Sequence, residues 1–319
     1  MKRIIPLCLA LVMTVGLLTG CGKQNEPAAS DETRLRVVTT IFPEYDWVRE
    51  ILGDKADNAE VTMLLDNGVD LHSYQPTADD IVKISECDLF IYVGGESDDW
   101  VDDALKNAAN KNRKVINLLE ALGERVKTEE AVEGMQEEEH DHDHDHEDTD
   151  EHDDAKEHDN EEEAEYDEHV WLSLKNAQTL CSAISSVLQQ IDPDNKDTYA
   201  ANASAYIKKL SALDADYQAA VNAAACKTVL FGDRFPFRYL AEDYGLRYYA
   251  AFAGCSAESE ASFETVSFLA GKVDELNLPC VLTIEGVQHK IAETIVRNTA
   301  AKNQKVLTMD SMQSTTSKD

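Results

Sequence analysis

Short runs rich in β-branched residues alternate with segments of helical spacing through most of this chain, and no other feature of the sequence restricts its fold as strongly. A helix between two buried strands returns the chain to the same end of a sheet, so such units form parallel sheets. The first part of the chain is predicted to have strands at residues 36–41, 59–65, 89–93 and 114–117 and helices at 45–52, 81–85 and 100–110. This part is therefore predicted to be an α/β lobe.

The alternation stops at a long helical stretch and then begins again. A helix at residues 174–190 is interrupted at Asp192-Pro193-Asp194, and a second helix is predicted over 196–224. Beyond it, strands are predicted at residues 228–231, 247–252, 280–284 and 305–309 and helices at 237–244, 263–276 and 288–303. We therefore expect α/β lobes at residues 34–195 and 225–319, each with a mainly parallel sheet flanked by helices, joined by one long rigid helix and facing each other across a cleft.

The N-terminus has the features of an export signal. Two basic residues precede a mostly apolar stretch at residues 4–18, which is too short for a confident membrane span. The sequence Leu18-Thr19-Gly20-Cys21 follows and resembles the lipobox of bacterial lipoproteins, which implies that Cys21 is lipidated. We expect a signal peptide at 1–20, a flexible linker at 21–33, and a protein held by its lipid on the extracytoplasmic face of the bacterial cell membrane.

Acidic residues give the chain a formal net charge of -33, and 20 of them lie in residues 137–168. Such a balance excludes nucleic-acid backbones as partners and favours cations. Because apolar periodicity is lost over residues 129–168, this segment is predicted to be a disordered insert. It contains six histidines, His140, His142, His144, His146, His152 and His158.

Two further histidines lie at the edges of predicted elements. His72 follows the second strand, within Asp70-Leu71-His72-Ser73-Tyr74-Gln75-Pro76-Thr77, and His169 lies where the insert ends, within Asp167-Glu168-His169-Val170-Trp171-Leu172-Ser173. Loops at the carboxyl ends of strands are where open α/β sheets bind ligands. Both positions are therefore candidates for a binding site in the cleft.

The segments HSYQPT and DEHVWLS resemble the ligand motifs of the cluster A-I solute-binding proteins for zinc and manganese, and the resemblance covers roughly residues 34 to 310. It implies that His72 and His169 are metal ligands, with Asp310 after the last strand as an acidic ligand and the metal between the lobes. It also implies an extracytoplasmic substrate-binding lipoprotein that delivers metal to the permease of an ABC importer with a cytoplasmic ATPase. A monomer is expected.

The third ligand of that family is usually a histidine in zinc binders, about ten residues before a Tyr-Gly-Leu. Counting back from Tyr244-Gly245-Leu246 reaches Arg234, or Gly232 after a shift of two residues. Neither can donate a side-chain lone pair, since a guanidinium stays protonated. The remaining candidates are Asp233, Cys255, Glu258 and Glu285.

The His-rich insert favours zinc as cargo, because such loops resemble those of the zinc-specific members. Neutral imidazoles separated by single aspartates offer many weak, exchangeable zinc positions, so we expect the insert to collect zinc for the cleft. Manganese or iron is the alternative cargo. His289 has no matching motif and is predicted to lie on a helix surface.

Two other classes of function compete with metal import. A zinc hydrolase would need an open coordination position and a general base, but the chain has no HExxH motif and no evident serine nucleophile elbow, so we expect no enzyme. A surface adhesin is the other alternative, although no adhesive repeat is present.

Five cysteines lie beyond Cys21, and none forms a CxxC pair, so most are expected to be buried thiols, with a Cys226 to Cys280 disulfide left open. Residues 311–319 show no pattern. Because chains of this family continue into a further helix, we expect the second lobe to be incomplete at this end.

Overall fold

Two four-stranded sheets, in both of which every strand pair is parallel, organise the chain in a computed structural model. The structure describes residues 34–106, 108–136, 165–256, 260–286 and 289–318. The sheets belong to two lobes, with helices on their faces, and a long helix lies between the lobes in the chain. The predicted α/β fold class is confirmed.

The first sheet has the strand order β2-β1-β3-β4. Its strands are β1 (Leu35–Thr39), β2 (Ala59–Met63), β3 (Leu89–Tyr92) and β4 (Lys114–Asn117). Its helices are α1 (Phe42–Leu52), α2 (Ala78–Glu86), α3 (Val101–Leu105) and α4 (Leu118–Leu122). All four residues of β3 are buried, as expected for an inner strand that is covered on both faces.

The second sheet repeats this arrangement, with the order β6-β5-β7-β8. Its strands are β5 (Thr228–Arg234), β6 (Arg247–Phe252), β7 (Cys280–Ile284) and β8 (Lys305–Met309). The helices of this lobe are α7 (Arg238–Tyr244), α8 (Phe263–Glu275) and α9 (Lys290–Asn298), and two helices precede the lobe, α5 (Leu174–Ile191) and α6 (Lys196–Ala223).

Helix α6, with 28 residues, contacts both lobes. In its first half, Asn202 Nδ2 donates to the carbonyl of Ile51 at 3.0 Å, and Tyr206 OH donates to Asp46 Oδ2 at 2.8 Å. In its second half, Asp214 Oδ1 accepts a hydrogen bond from Tyr244 OH at 2.9 Å. One continuous helix therefore braces the two lobes against each other.

The apolar core of the first lobe continues into the second. Phe235, Phe237 and Tyr239, at 3%, 2% and 2% exposure, lie in the same buried cluster as residues of the first sheet. A second cluster lies under α8 and α9. Because a shared core is dense and resists shearing, the lobes are held together by more than their covalent connection.

Two predicted helices are shorter than their patterns indicated. Helix α3 ends at Leu105 and not at residue 110, because Asn110 Nδ2 donates to the carbonyl of Cys87 and fixes a bend into β4. Helix α9 covers Lys290–Asn298 and not 288–303, because the Thr299 hydroxyl donates to the carbonyl of Val296 and closes its end. Helix α4 was not predicted.

The predicted insert is ordered at both of its ends. Thr128 forms an antiparallel bridge with Tyr166, and Glu129 N donates to the carbonyl of Glu165 at 2.8 Å. Gln136 N donates to the carbonyl of Ala251 at 2.9 Å, which ties this side to the second lobe. The prediction of disorder is therefore wrong for 129–136 and 165–168, since backbone hydrogen bonds can order a segment that lacks apolar periodicity. Its six histidines lie outside the described residues.

The last residues also dock, although they show no sequence pattern. Ser311 and Gln313 are 0% and 2% exposed. Ser311 is bound on both sides: its N and Oγ donate to Glu285 at 2.8 and 2.6 Å, and its carbonyl accepts from Trp171 Nε1 at 2.8 Å. Gln313 Nε2 donates to Asp70 Oδ2 at 2.9 Å, so this tail (residues 311–318) reaches the first lobe.

The five cysteines of the described ranges are free thiols, so the Cys226 to Cys280 disulfide is not formed. Within those ranges no helix combines the length and the apolar character that crossing a bilayer requires. Cys21 lies outside the described residues.

Candidate metal site

His72 and His169 are positioned by short turns that carry their own carboxylates. His72 lies in the 3-10 turn Leu71–Ser73 after β2, where Asp70 Oδ1 accepts a hydrogen bond from His72 N at 3.0 Å. His169 comes immediately before the turn Val170–Leu172, and Asp167 Oδ1 accepts from His169 N at 3.0 Å. In both motifs an aspartate two residues earlier fixes the backbone of the histidine.

The two imidazoles meet through their Nε2 atoms, which are 3.2 Å apart. His169 is 0% exposed and His72 is half-buried. Two imidazole nitrogens bound to one tetrahedral zinc at 2.0–2.1 Å would be about 3.3 Å apart. The pair is thus already at the separation that a shared metal ion requires.

The other ring nitrogens face hydrogen-bonding groups. His169 Nδ1 lies 3.0 Å from Asp167 Oδ1, and His72 Nδ1 lies 2.8 Å from Ser97 Oγ and 3.5 Å from Glu168 Oε2. A carboxylate accepts the Nδ1 proton and leaves the Nε2 lone pair free. The two Nε2 atoms then need a proton or a metal cation between them, so a metal ion and a proton compete for this position.

Glu168 lies next to His72, and its Oε2 is 3.5 Å from His72 Nδ1. Its Oε1 accepts from Ser97 N at 2.9 Å, while its Oε2 is buried without a hydrogen-bond partner. Gly95 has a φ of 85°, and a Cβ at this position would clash with the Glu168 carboxylate. Burial raises the pKa of Glu168 and raises that of the neighbouring Asp98 to about 7. A cation bound to the imidazoles would favour the ionised form of these carboxyl groups and would be stabilised by their negative charge.

The two histidines differ in their affinity for a proton. Burial, followed by the charge of His169, lowers the pKa of His72 to about 3. Burial also opposes a charge on His169, but its hydrogen bond and charge interaction with Asp167 outweigh burial and raise its pKa. His72 is therefore a neutral lone-pair donor at ordinary pH. Because a positive charge on His169 disfavours a second one on His72, the pair accepts one cation more readily than two.

Cys255 is the candidate that the fold brings to the histidines. Among the described residues, one group of His, Cys, Asp or Glu side chains is close enough to hold a metal, and it consists of His72, His169 and Cys255. One ring nitrogen of each histidine and the Cys255 Sγ all lie within 4.8 Å of one another. A set of two nitrogens and one sulfur is a normal donor set for zinc.

The other acidic candidates have partners elsewhere. Asp233 Oδ1 and Oδ2 accept from Arg234 N at 2.9 Å and Ile284 N at 3.3 Å, which joins the ends of β5 and β7. Glu285 holds Ser311 of the tail. Asp310 is exposed and accepts from Met312 N at 2.8 Å, and the structure does not bring it into the group. Glu258 lies outside the described residues.

Arg234, where the family would have its third histidine, faces the first lobe. Its Nη2 donates to Asp70 Oδ2 at 2.7 Å, and its Nη1 donates to the carbonyl of Ser256 at 3.5 Å. Burial alone would raise the pKa of Asp70, but the Arg234 guanidinium holds it below its usual range. The arginine closes the cleft beside the histidines without binding metal.

Sequence reasoning missed several groups of the site. Ser97 lies 25 residues from His72, and Glu129, whose Oε1 accepts from Cys255 N at 2.8 Å, lies 126 residues from Cys255. No local pattern indicates such pairs. Asp167 and Glu168 were visible within the DEHVWLS segment. His289, predicted to lie on a helix surface, is half-buried just before α9.

Comparisons with known proteins show the family of the chain. The model of the family described as ZnuA, zinc-uptake complex component A, periplasmic, matches residues 37–319. The high-affinity zinc uptake system protein ZnuA of Bacillus subtilis is 31% identical over 298 residues, which cover 93% of this chain and 86% of that protein. The zinc-binding lipoprotein AdcA of Streptococcus pneumoniae is 29% identical over 98% of this chain, which spans 56% of that longer protein.

The fold is similar to solved structures of the same group. The Zn(II)-bound ZnuA-like domain of Streptococcus pneumoniae AdcA matches with a TM-score of 0.64 and 27% identity, over 90% of this chain and 91% of that domain. The resemblance to this family that the sequence predicted is thereby confirmed over almost the whole described chain. This chain belongs to the ZnuA family of zinc-uptake components.

Proposed function

We propose that this chain captures zinc outside the cytoplasmic membrane, through His72 and His169, and delivers it to the permease of an ABC importer. The observation that carries the proposal is the 3.2 Å separation of the two Nε2 atoms, with a carboxylate close to each Nδ1. The family and the names of the relatives support zinc as the cargo. Zinc is a substrate here, so the site must both bind it and release it.

The donor set supports zinc over harder cations. Calcium and magnesium prefer shells of six or more oxygens, whereas the described group offers two imidazoles and a thiol. Manganese is bound more weakly than zinc by nitrogen donors. An uptake component needs no chemistry on its cargo, and we assign no catalytic step to the chain.

The family and its relatives also support a location and partners for the chain. The family is described as periplasmic, and a relative is named a lipoprotein, which supports a position outside the cytoplasmic membrane. We propose that a lipid on Cys21 tethers the protein there and that a membrane permease driven by a cytoplasmic ATPase accepts the zinc. The tether keeps the carrier close to its permease and so raises their effective concentration.

The six histidines between 140 and 158 complete the proposal as an accessory collecting segment. The described ends of the insert support this role, because Glu129 at one end binds the backbone N of Cys255 beside the histidines and also pairs with Glu165 at the other end. Replacing the six histidines by asparagine keeps the length and should remove weak zinc equivalents while preserving the tight one. Unchanged stoichiometry would contradict the collecting role.

Calorimetric zinc titration of that histidine-free insert variant tests the main proposal. One tight zinc per chain is expected, and His72→Ala and His169→Ala should each lower the affinity by more than the roughly 10- to 100-fold typical of losing a group outside the ligand shell. His289→Ala is the matched control, since His289 lies outside the metal group. Equal affinity in all three variants would refute the site, and a tighter response to manganese than to zinc would replace the cargo.

A further inference from the structure

Cys255 reaches the two histidines from the second lobe, in the loop that follows β6. It is half-buried, and its Sγ lies within 4.8 Å of one ring nitrogen of His72 and one of His169. In a tetrahedral zinc site, sulfur at 2.3 Å and nitrogen at 2.0–2.1 Å from the metal are about 3.6 Å apart. The thiol thus needs to move by only about 1 Å to complete three corners of a tetrahedron.

Contacts of Gly254, Cys255 and Ser256 hold this loop next to His169. Gly254 packs against the imidazole, and a Cβ on it would lie 3.1 Å from both Cε1 and Nδ1 of His169. On the other side, the Cys255 backbone N donates to Glu129 Oε1 at 2.8 Å. The next residue, Ser256, is 3% exposed, and its carbonyl accepts from Arg234. Three consecutive residues are therefore fixed against the first lobe and the strand end.

Arg234 occupies the position where the family has its third histidine, and it cannot serve as the third donor. Its guanidinium is occupied by Asp70 at 2.7 Å and cannot offer a lone pair to a metal. No other histidine of the described residues belongs to the metal group. Any donor that the second lobe contributes must therefore come from another position.

We propose that Cys255, as a thiolate, is the third protein ligand of the cargo zinc, in place of the histidine that other members of the family use. The inference rests on the proposed function, because it names a further ligand of the same site. On binding, the S–H proton passes to solvent water as the sulfur–zinc bond forms, and no oxidant or reductant is involved. The ligand set becomes two imidazoles and one thiolate, with a fourth position left for water or another donor.

A thiolate changes what the site selects. Sulfur is a soft ligand that favours zinc over manganese, which prefers carboxylate, carbonyl and water oxygens. It also links the two lobes through the metal, since both histidines belong to the first lobe and Cys255 to the second. Loss of the thiolate should therefore weaken zinc binding far more than manganese binding.

Cobalt(II) titration of the full chain tests the inference, because a thiolate bound to cobalt gives a charge-transfer band in the near ultraviolet and imidazoles or carboxylates do not. The wild-type chain should develop this band and saturate it at one cobalt per chain. The band should disappear in Cys255→Ser, and zinc affinity should fall by about 100-fold or more. Cys280→Ser, another half-buried thiol outside the metal group, is the matched control and should retain both.

The outcomes separate this inference from the proposed function. If tight binding depends on His72 but the wild-type chain shows no charge-transfer band, the thiolate ligand is refuted while the zinc site stands. If neither His72→Ala nor Cys255→Ser changes zinc affinity, both are refuted. Absence of the band in the wild-type chain refutes the thiolate whatever the variant does. The thermal transition of Cys255→Ser shows whether that variant is folded, so that loss of its band reports the missing ligand.

Discussion

Arg234 of the second lobe donates a hydrogen bond from Nη2 to Asp70 Oδ2 of the first lobe at 2.7 Å, with side-chain exposures of 15% and 25%. Asp70 also accepts from Gln313 of the tail and, through its other oxygen, from the backbone of His72. One carboxylate therefore connects the turn that carries a metal ligand to both a strand end and the tail. We expect this contact to stabilise the closed cleft.

Breaking this ion pair should cost stability in a measurable way. The pair is neither fully exposed nor fully buried, so its coupling should lie between the values for those two classes, at about 1–2 kcal/mol. A double-mutant cycle with Arg234→Gln and Asp70→Asn, followed by urea unfolding, measures it. The exposed pair Lys209 and Glu50 provides the control cycle and should give less. Equal coupling in both cycles would show that the cleft contact has no special role.

Asp167→Asn should weaken zinc binding without changing its stoichiometry. The amide oxygen can still accept from His169, but the negative charge that favours a cation on the imidazole is lost. A drop of about 10-fold is expected, at the lower end of what outer carboxylates contribute. Competition with a chelator of known zinc affinity measures it, with the exposed Asp99→Asn as control. An unchanged affinity would mean that only the geometry of the acceptor matters.

Glu285→Ala should release the tail while leaving the metal site intact. The substitution removes both hydrogen bonds to Ser311, a residue with 0% exposure, and should cost about 1–3 kcal/mol. Hydrogen exchange of the amides in residues 311–317 should accelerate, whereas Glu293→Ala on the surface of α9 should not affect them. A large loss of zinc affinity would instead indicate that Glu285 acts as a ligand.

Glu44→Gln should flatten the pH dependence of stability in the metal-free protein. Burial, with a contribution from Asp98, raises the pKa of Glu44 from 4.5 to about 8. The folded state thus holds this proton more tightly than the unfolded state, so the stabilisation is complete below pH 4.5 and is lost as pH rises through about 8. In that window the slope from this one group is at most about 1.4 kcal/mol per pH unit.

Urea unfolding from about pH 5 to about pH 9 tests this prediction, with the exposed Glu60→Gln as control. Glu44→Gln should lose less stability with rising pH than the wild type. Asp98, whose pKa burial raises to about 7, acts in the same direction, so part of the slope should persist. Parallel curves for the wild type and Glu44→Gln would contradict the assignment.

The sequence predicted most of the strands because each is a short run rich in β-branched or aromatic residues that is bounded by turn or polar residues. Four of them, including β4 and β7, have the predicted bounds. His72 and His169 could be predicted because their motifs are local. Cys255 remained one of four candidates, since its approach to the histidines depends on Gly254 and Glu129, which act through the tertiary fold. The docking of Ser311 was equally hidden, because its partners Trp171 and Glu285 are 140 and 26 residues away.

Helix α6 and the shared core around Phe235 and Phe237 restrict how far the metal-bound and metal-free forms of the protein can differ. A receptor cannot sense a wide swing of the lobes if these elements keep them at a nearly constant angle. The two forms must then differ locally, in the loops that carry His72 and Cys255 and in the tail, which hydrogen-bonds Asp70 next to them. A partner protein that contacts this small surface would sense the order of a few loops, and a metal held by His72, His169 and Cys255 would set that order.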